Sequence, residues 1–522
     1  GRLARGAVVM RRVRYAPSPT GELHLGGLRT ALFNWLFARQ HPQGRFLVRI
    51  EDTDRTREVA GAAERLLEAL ERFGIRPDEP VPRQSERRHV HAAHAHSLVQ
   101  NGGAYPCFCS AERLAQVRAT SRKGSAASGS LAVSYDRRCR SVPTGEAASR
   151  MAQGEPHTIR LRSPLEGATQ LDDLVKGRVT FSNSVMDDQI LLKTDGFPTY
   201  HLASVVDDHD MGITHVIRGE EWLSSTPKHL HLYRSFGWAP PQFAHLPLLL
   251  NTDGTKVSKR TNDASVASLL DDRGFSPSAV LNFVALLGWS PARSQAAADQ
   301  VLGTGEPADD DSGEAKRKLI FPSTQSLIDN FDLAGSTSKG AVVDLDFLHF
   351  INGEHIRGMD SSTIIGHVRE MVPAAQSVDD AHIRAVLDLV QRRIFRLRDI
   401  PDYVAQFFER DIAWDEADRE RALTGNPVAH LVLEAAEVEL GSLGESDWAA
   451  PKIKKLLSRL PKVVLASNPA IGKAPKAANV MLPLRWASTG SLKGAELPET
   501  LALLGRETVL DRIERKRNAF DK

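Results

Sequence analysis

The chain has 522 residues with 67 Lys and Arg against 65 Asp and Glu, 41% hydrophobic and 25% charged residues. That is the composition of a multidomain globular protein, and it excludes a small stapled module and a disordered chain. The most apolar stretches, Leu246–Leu250 and Ala279–Trp289, fall short of the roughly 20 residues that cross a bilayer, so no membrane partner is expected; three cysteines exclude a disulfide framework and fit a reducing compartment.

Arg12–Ala16 reads as a short strand that ends in Pro17-Ser18-Pro19-Thr20-Gly21, and Leu25–Arg39 follows with apolar residues at helical spacing. Phe46–Glu51 alternates like a strand and Ala62–Phe73 is helical, so the chain opens as a parallel α/β sheet. His89, His91, His94 and His96 are expected on a solvated helical face rather than around a metal. After Tyr105 the texture changes to a Cys-x-Cys pair and a Ser/Gly/Ala-rich segment, Thr120 to Ser130, that reads as a loop. α/β character returns with Gln189–Lys193, Tyr200–Val206 and His215–Arg218, which makes the intervening segment an insertion into the sheet. Gln295 to Glu314 is polar and unpatterned and reads as a surface loop; beyond Val342 nearly everything has helical period.

Charge is uneven along the chain. Pro451 to Lys522 carries 15 Lys and Arg against 6 Asp and Glu, which fits either a surface for a polyanion or a solvated helical face. Gly1 to Arg12 has four arginines and no acid, which suggests the remnant of a targeting segment.

Two loops carry candidate chemistry. Pro17 to Gly27, PSPTGELHLGG, is stiffened by prolines, and its glycines let a ligand approach backbone where a strand feeds a helix N-terminus, a natural phosphate site. It is neither a Walker loop nor a dinucleotide fingerprint. Far downstream, Asn251–Arg260 reads NTDGTKVSKR, in which Lys256 and Lys259 flank Ser258. Two lysines on such a loop can neutralise a triphosphate and a leaving pyrophosphate without a covalent step.

Together these strings resemble the HIGH-type and KMSKS-type signatures of class I aminoacyl-tRNA synthetases, in the wording of the glutamyl-tRNA synthetases. RIEDTD at Arg49–Asp54, TDGFPTYHLASVVDDHDMGITHVIRGEEWLSSTPKH at Thr194–His229 and HLPLLLNTDGTKVSKR at His245–Arg260 resemble the same family in order and spacing. FLHFINGEHIR at Phe347–Arg357 and MLPLRWASTG at Met481–Gly490 resemble its bacterial-type anticodon-binding half. The resemblance implies an α/β, Rossmann-like catalytic domain (1–90 and 200–255) split by an inserted acceptor-end-binding domain (91–199). A stem-contact domain (256–345) and an all-α anticodon-binding region (346–522) would follow.

The implied reaction joins L-glutamate to ATP as glutamyl-adenylate and passes it to the 3′ end of tRNA(Glu), with tRNA(Gln) as a second candidate acceptor. Arg14 and Arg218 match positions that face substrate carboxylates, Glu51 the acid that meets the α-ammonium, Ala16 and Ser18 the loop beside it, and Tyr200 a hydroxyl at the side-chain end. Ser204, which stands where many members have Asn, is placed by the same match among the glutamate-binding residues, at the side-chain carboxylate. For ATP and its Mg²⁺, the matching residues are Thr20, His24, Gly26, Glu221, Lys256, Val257, Ser258, Lys259 and Arg260. His24, Lys256 and Lys259 would be the catalytic ones. Cys107, Cys109 and Cys139 resemble zinc-bearing inserts of some relatives, but no His or Cys beside Cys139 completes a fourth ligand, so zinc is not expected. The anticodon would be read near Arg392, Arg393, Arg396 or Arg398. A monomer is implied, and the arginine-rich start with an organelle-like anticodon half favours the mitochondrial matrix over the cytoplasm. The alternatives are a glutaminyl-tRNA synthetase, whose first loop resembles PEPNGYLHIGH, and a non-catalytic synthetase-like tRNA-binding protein, which the retained His24 and lysine loop disfavour.

Overall fold

In the computed structural model, which describes residues 10–128, 135–257, 265–291, 319–424 and 426–518, the chain divides into two units. One comprises residues 1–273 and 280–345, the other 274–279 and 346–522. The expectations placed on residues 1–9, on Gln295–Glu314 and on Ser258, Lys259 and Arg260 lie outside the described residues.

The first unit is built on a six-stranded sheet in the order β2-β1-β8-β9-β5-β6. Strands β1 (Arg12–Tyr15), β2 (Arg45–Val48), β8 (His215–Gly219) and β9 (Gln242–Leu246) run parallel. Strand β5 (Ala168–Asp173) pairs parallel to β9 through Asp173 and Phe243, and β6 (Gly177–Ser182) closes the edge antiparallel. The parallel strands have buried, β-branched and aromatic cores such as Val13, Phe46, Val48 and Ile217, as expected of a sheet covered on both faces. Helix α1 (Leu25–Arg39) follows β1 and is apolar nearly all round, which is why 12 of its 15 residues are buried.

The insertion is less self-contained than the sequence reading expects. Strands β3 (Ala104–Cys107), β4 (Thr158–Leu161) and β7 (Ile190–Leu192) form their own antiparallel sheet, while the β5–β6 hairpin joins the main one. Within it, Ala111–Ser128 is one helix, so the Thr120–Ser130 loop expectation fails as far as Ser128. Ser and Gly cost a helix only tenths of a kcal/mol to about 1 kcal/mol each, and the run holds alanines and no proline to stop a turn begun by Glu112, Arg113 and Leu114.

The histidine stripe also needs correction. On the helix Arg88–Gln100, His89 and His96 are exposed, but His91 is fully buried with Nε2 2.8 Å from Asp207 Oδ1. His94 packs edge-on against Phe236 and Trp238. The 2-3-2 spacing puts His91 and His94 on one face of the helix and His89 and His96 on the other, and burial takes the face that meets the carboxylate.

The second unit is helical from Ser361 to Arg517. Asp360 and Asp379 cap two of its helices, accepting the backbone N–H of Thr363 and His382 at 3.0 Å. Helix Ala450–Ser467 buries Ile453, Leu457, Leu460 and Val464, a stripe at helical spacing, and exposes Lys452, Lys454, Lys455, Arg459 and Lys462 opposite. Of the four arginines expected near an anticodon, Arg396 pairs with Asp399 and Arg393 lies 3.9 Å from Glu496, whereas Arg392 and Arg398 are exposed. No helix among the described residues is long and apolar enough to cross a membrane.

Candidate active site

A cavity of about 670 Å³ opens above the carboxyl ends of β1, β8 and β9, where ligands of open α/β sheets bind. It gathers Arg14, Ala16, Ser18, Thr20, His24 and Gly26 from the first loop with Glu51, Tyr200, Arg218 and Glu221. Lys256 and Val257 line it from the start of the lysine loop. Residues as far apart in sequence as Arg14 and Val257 therefore share one space. Ser204 does not line it: it is buried inside the helix α6 (Tyr200–Asp210) at 1% exposure.

His24 is the N-cap of α1, and its Nδ1 accepts the Gly27 N–H at 3.1 Å. In the neutral ring the proton then sits on Nε2, a donor at a helix terminus whose first turn has no acidic residue. Gly27 is required by close approach, because a Cβ there would lie 2.8 Å from Tyr15 Oη. At the far side the Glu221 carboxylate folds over Gly219, where a Cβ would meet it at 2.2 Å.

Beneath the loop lies a buried ion network that the sequence reading missed. Arg14 Nε donates to Asp208 Oδ1 at 3.0 Å, and Arg49 Nη1 donates to the same oxygen at 2.7 Å. Arg49, fully buried, also donates to Glu51 Oε1 at 2.9 Å. Burial pushes the Asp208 carboxyl up, but Arg14 and Arg49 outweigh it and hold it below the usual range. For Glu51 burial prevails over the same two arginines and its pKa is raised. The legible signal was the pair Asp207-Asp208 on α6, two adjacent acids in an otherwise buried turn.

Arg218 is held differently. Its Nη1 donates to Tyr200 Oη at 2.9 Å and its Nη2 to Thr226 Oγ1 at 2.9 Å, while Nε donates to His245 Nε2 at 3.1 Å. Tyr200 packs against Trp222 with centroids 4.1 Å apart and the rings tilted by 34°, and burial pushes its hydroxyl pKa up, so it stays a donor. Since Arg218 donates to Tyr200 Oη, the phenolic O–H can still donate to a further acceptor, and the residue lines the cavity.

The three cysteines meet in the insertion. Their sulfurs lie within 4.8 Å of one another, with Cys109 Sγ and Cys139 Sγ 3.6 Å apart. Tyr135 Oη stands 3.3 Å from Cys107 Sγ and 3.8 Å from Cys109 Sγ. No His or Cys flanks Cys139, but the fold brings in a hydroxyl, Tyr135, from four residues before it. Hydrogen bonding from Cys139 and Tyr135 draws the Cys107 thiol below its ordinary value against the effect of burial. Sulfurs bound to one tetrahedral zinc lie about 3.8 Å apart, so this donor set fits that ion.

Comparison with known proteins identifies two family models in the chain: the catalytic domain of class I tRNA synthetases (E and Q) over residues 10–304, and an anticodon binding domain over residues 364–517. The chain is 36% identical over 529 residues to a glutamate–tRNA ligase of Chlorobium luteolum, covering 97% of each. It is 38% identical over 519 residues to one of Dehalococcoides mccartyi, covering 96% of each. Among solved structures it is similar to a glutamate–tRNA ligase from Elizabethkingia meningosepticum in complex with its amino acid, with a TM-score of 0.76, 32% identity and coverage of 98% and 99%.

Proposed function

The chain belongs to the class I glutamate–tRNA ligases, and on that premise we propose how its cavity divides the work. The reaction needs two carboxylates and one ammonium held beside a triphosphate. Arg14 and Arg218 supply the two guanidinium groups and Glu51 the anion for the α-ammonium. Arg218 and the Tyr200 hydroxyl take the side-chain carboxylate, because they are already bonded to each other at 2.9 Å and neither is paired with an acid. Glutamine, with an amide in that place, would present N–H donors to donors, which is how the pocket rejects it.

ATP, entering with the Mg²⁺ that its phosphates carry, lies along the first loop with its phosphates toward the N-terminus of α1, His24 Nε2–H and Lys256, and its ribose toward Glu221. An α-carboxylate oxygen of glutamate attacks the α-phosphorus, the bond to the bridging oxygen breaks, and pyrophosphate leaves with its growing charge met by His24 and Lys256. In the second step a hydroxyl of the terminal ribose of tRNA attacks the glutamyl carbonyl and AMP departs. The single observation that supports this reading is the convergence of Arg14, Glu51, Arg218, His24 and Lys256 on one cavity. Aminoacylation by the full chain, with labelled glutamate on tRNA(Glu) and on tRNA(Gln), tests it: transfer to tRNA(Glu) is expected, and binding of tRNA without transfer would favour a non-catalytic protein.

The cysteine cluster supports a zinc ion held by Cys107, Cys109 and Cys139 with Tyr135 as the nearest fourth donor. Such an ion would tie β3 to the segment around Cys139 and so brace the insertion, with no part in the chemistry.

A further inference from the structure

We infer that Asp173 and His245 are positioning residues that hold Arg218 ready for a substrate carboxylate; the inference rests on the assignment of Arg218 to glutamate. Three neighbouring strands of the main sheet each contribute one member: Asp173 ends β5, His245 lies in β9 and Arg218 in β8. All three are buried, with Asp173 and Arg218 each at 5% and His245 at 0%.

The hydrogen bonds fix the direction of the relay. Arg218 Nε can only donate, so His245 Nε2, 3.1 Å away, must present its lone pair, and the imidazole proton must sit on Nδ1. That nitrogen lies 2.6 Å from Asp173 Oδ2. The other Asp173 oxygen accepts the backbone N–H of Val175, Lys176 and His245 at 3.0, 2.9 and 3.2 Å, so the carboxylate cannot swing away. Burial lowers the His245 pKa below its ordinary value, consistent with a neutral ring.

The rest of the Arg218 fork goes to Tyr200 Oη, Thr226 Oγ1, the Trp222 carbonyl and His229 Nδ1 at 3.3 Å, all uncharged, because burial and Arg218 itself hold the His229 pKa well below its ordinary value. No carboxylate among the described residues lies within ion-pair distance of it, whereas Arg14 spends Nε on Asp208. The guanidinium is thus oriented by neutral acceptors and keeps its charge for the ligand. An imidazole spacer lets Asp173 set that orientation without neutralising it. Neither Asp173 nor His245 lines the cavity, so both act through Arg218.

Asp173→Asn provides the sharpest test. With its oxygen held by the three backbone N–H groups, the new amide would donate to His245 Nδ1, shift the ring proton to Nε2 and set two donors against each other at Arg218 Nε. KM for glutamate and for ATP would be measured on the full chain with saturating tRNA(Glu); KM reports the folded fraction only and is unaffected by loss of material. Asp173→Asn and His245→Leu should raise KM for glutamate about 10-fold or more and leave KM for ATP within about twofold. His245→Gln, whose amide oxygen can still accept from Arg218, should stay within about threefold of the unaltered chain for glutamate. An unchanged glutamate KM in Asp173→Asn, equal rises for both substrates, or His245→Gln as impaired as His245→Leu would overturn the inference. Arg218→Gln run in parallel separates the two levels: a selective rise there without one in Asp173→Asn sinks the relay alone, and no rise there sinks the assignment of Arg218 itself.

Discussion

Arg14 Nε lies 3.0 Å from Asp208 Oδ1 with both side chains buried, and the oxygen that receives it also receives Arg49. One carboxylate is therefore the shared counter-charge of a guanidinium that faces the cavity and of one that never does. Arg49 continues to Glu51, so the groups assigned to a substrate carboxylate and to its ammonium are linked through two buried residues. Removing the shared acid leaves buried Arg14 without its ion-pair partner and takes one of three neighbouring acids from buried Arg49. Asp208→Asn should destabilise the first unit by about 3–5 kcal/mol, read as a lower denaturation midpoint at unchanged slope in urea. An unaltered midpoint would contradict the shared-charge account.

Acid should unfold the same region through Asp207. This fully buried carboxyl is pushed up by burial, yet hydrogen bonding from His91 and the charges of Arg49 and His91 bring it down to about 2. A folded-state pKa below the unfolded one means stability that is whole above the unfolded value near 4 and is lost as pH falls through about 2. The contribution is about 2 kcal/mol. Stability measured from pH 6 to pH 2 should fall less steeply in Asp207→Asn than in the unaltered chain, and parallel curves would refute this.

Lys256 enters the cavity from an exposed turn, with the Val257 N–H bonded to Leu249 O at 2.9 Å. In the proposed reaction its charge acts when pyrophosphate leaves and not when glutamate binds. Lys256→Ala should lower the rate of adenylate formation about 10-fold to 100-fold while KM for glutamate stays within a few-fold. A rise in glutamate KM with an intact rate would move Lys256 out of that role.

The cysteine cluster makes a metal prediction. Purified chain should carry about one zinc per molecule, and Cys139→Ser should lose it together with several degrees of thermal stability. Tyr135→Phe should weaken retention against a chelator without abolishing it. Equal metal content in the unaltered chain and Cys139→Ser would show that the thiols hold no zinc.

Much of this was legible in the chain, for physical reasons. β1 and α1 were visible because an alternating run, Val13 and Tyr15 between arginines, gives way, through Pro17 and Pro19, to a helix whose register Leu25, Leu28, Leu32 and Leu36 announce. The cavity wall was visible because phosphate and carboxylate chemistry needs particular residue types at a strand-to-helix loop. Arg49, Asp173 and His245 were not, since their meaning comes from strands and helices that meet only in the folded sheet. His91 was misread because spacing alone does not say which side of a helix meets a buried acid. Ser204 was assigned by its place in a motif, and one turn of α6 turns it into the interior.

Selection of glutamate rests, in the proposed scheme, on two arginines, one already paired with an acid and one not. Its most direct test is the ratio of kcat/KM for glutamate to that for glutamine in aminoacylation of tRNA(Glu) by the full chain and by Arg218→Gln. The account predicts a preference for glutamate of about 1,000-fold or more in the unaltered chain, falling by at least about 100-fold in the variant, mostly through glutamate. An unaltered chain that charges both amino acids comparably, or a variant that keeps the full preference, would contradict it.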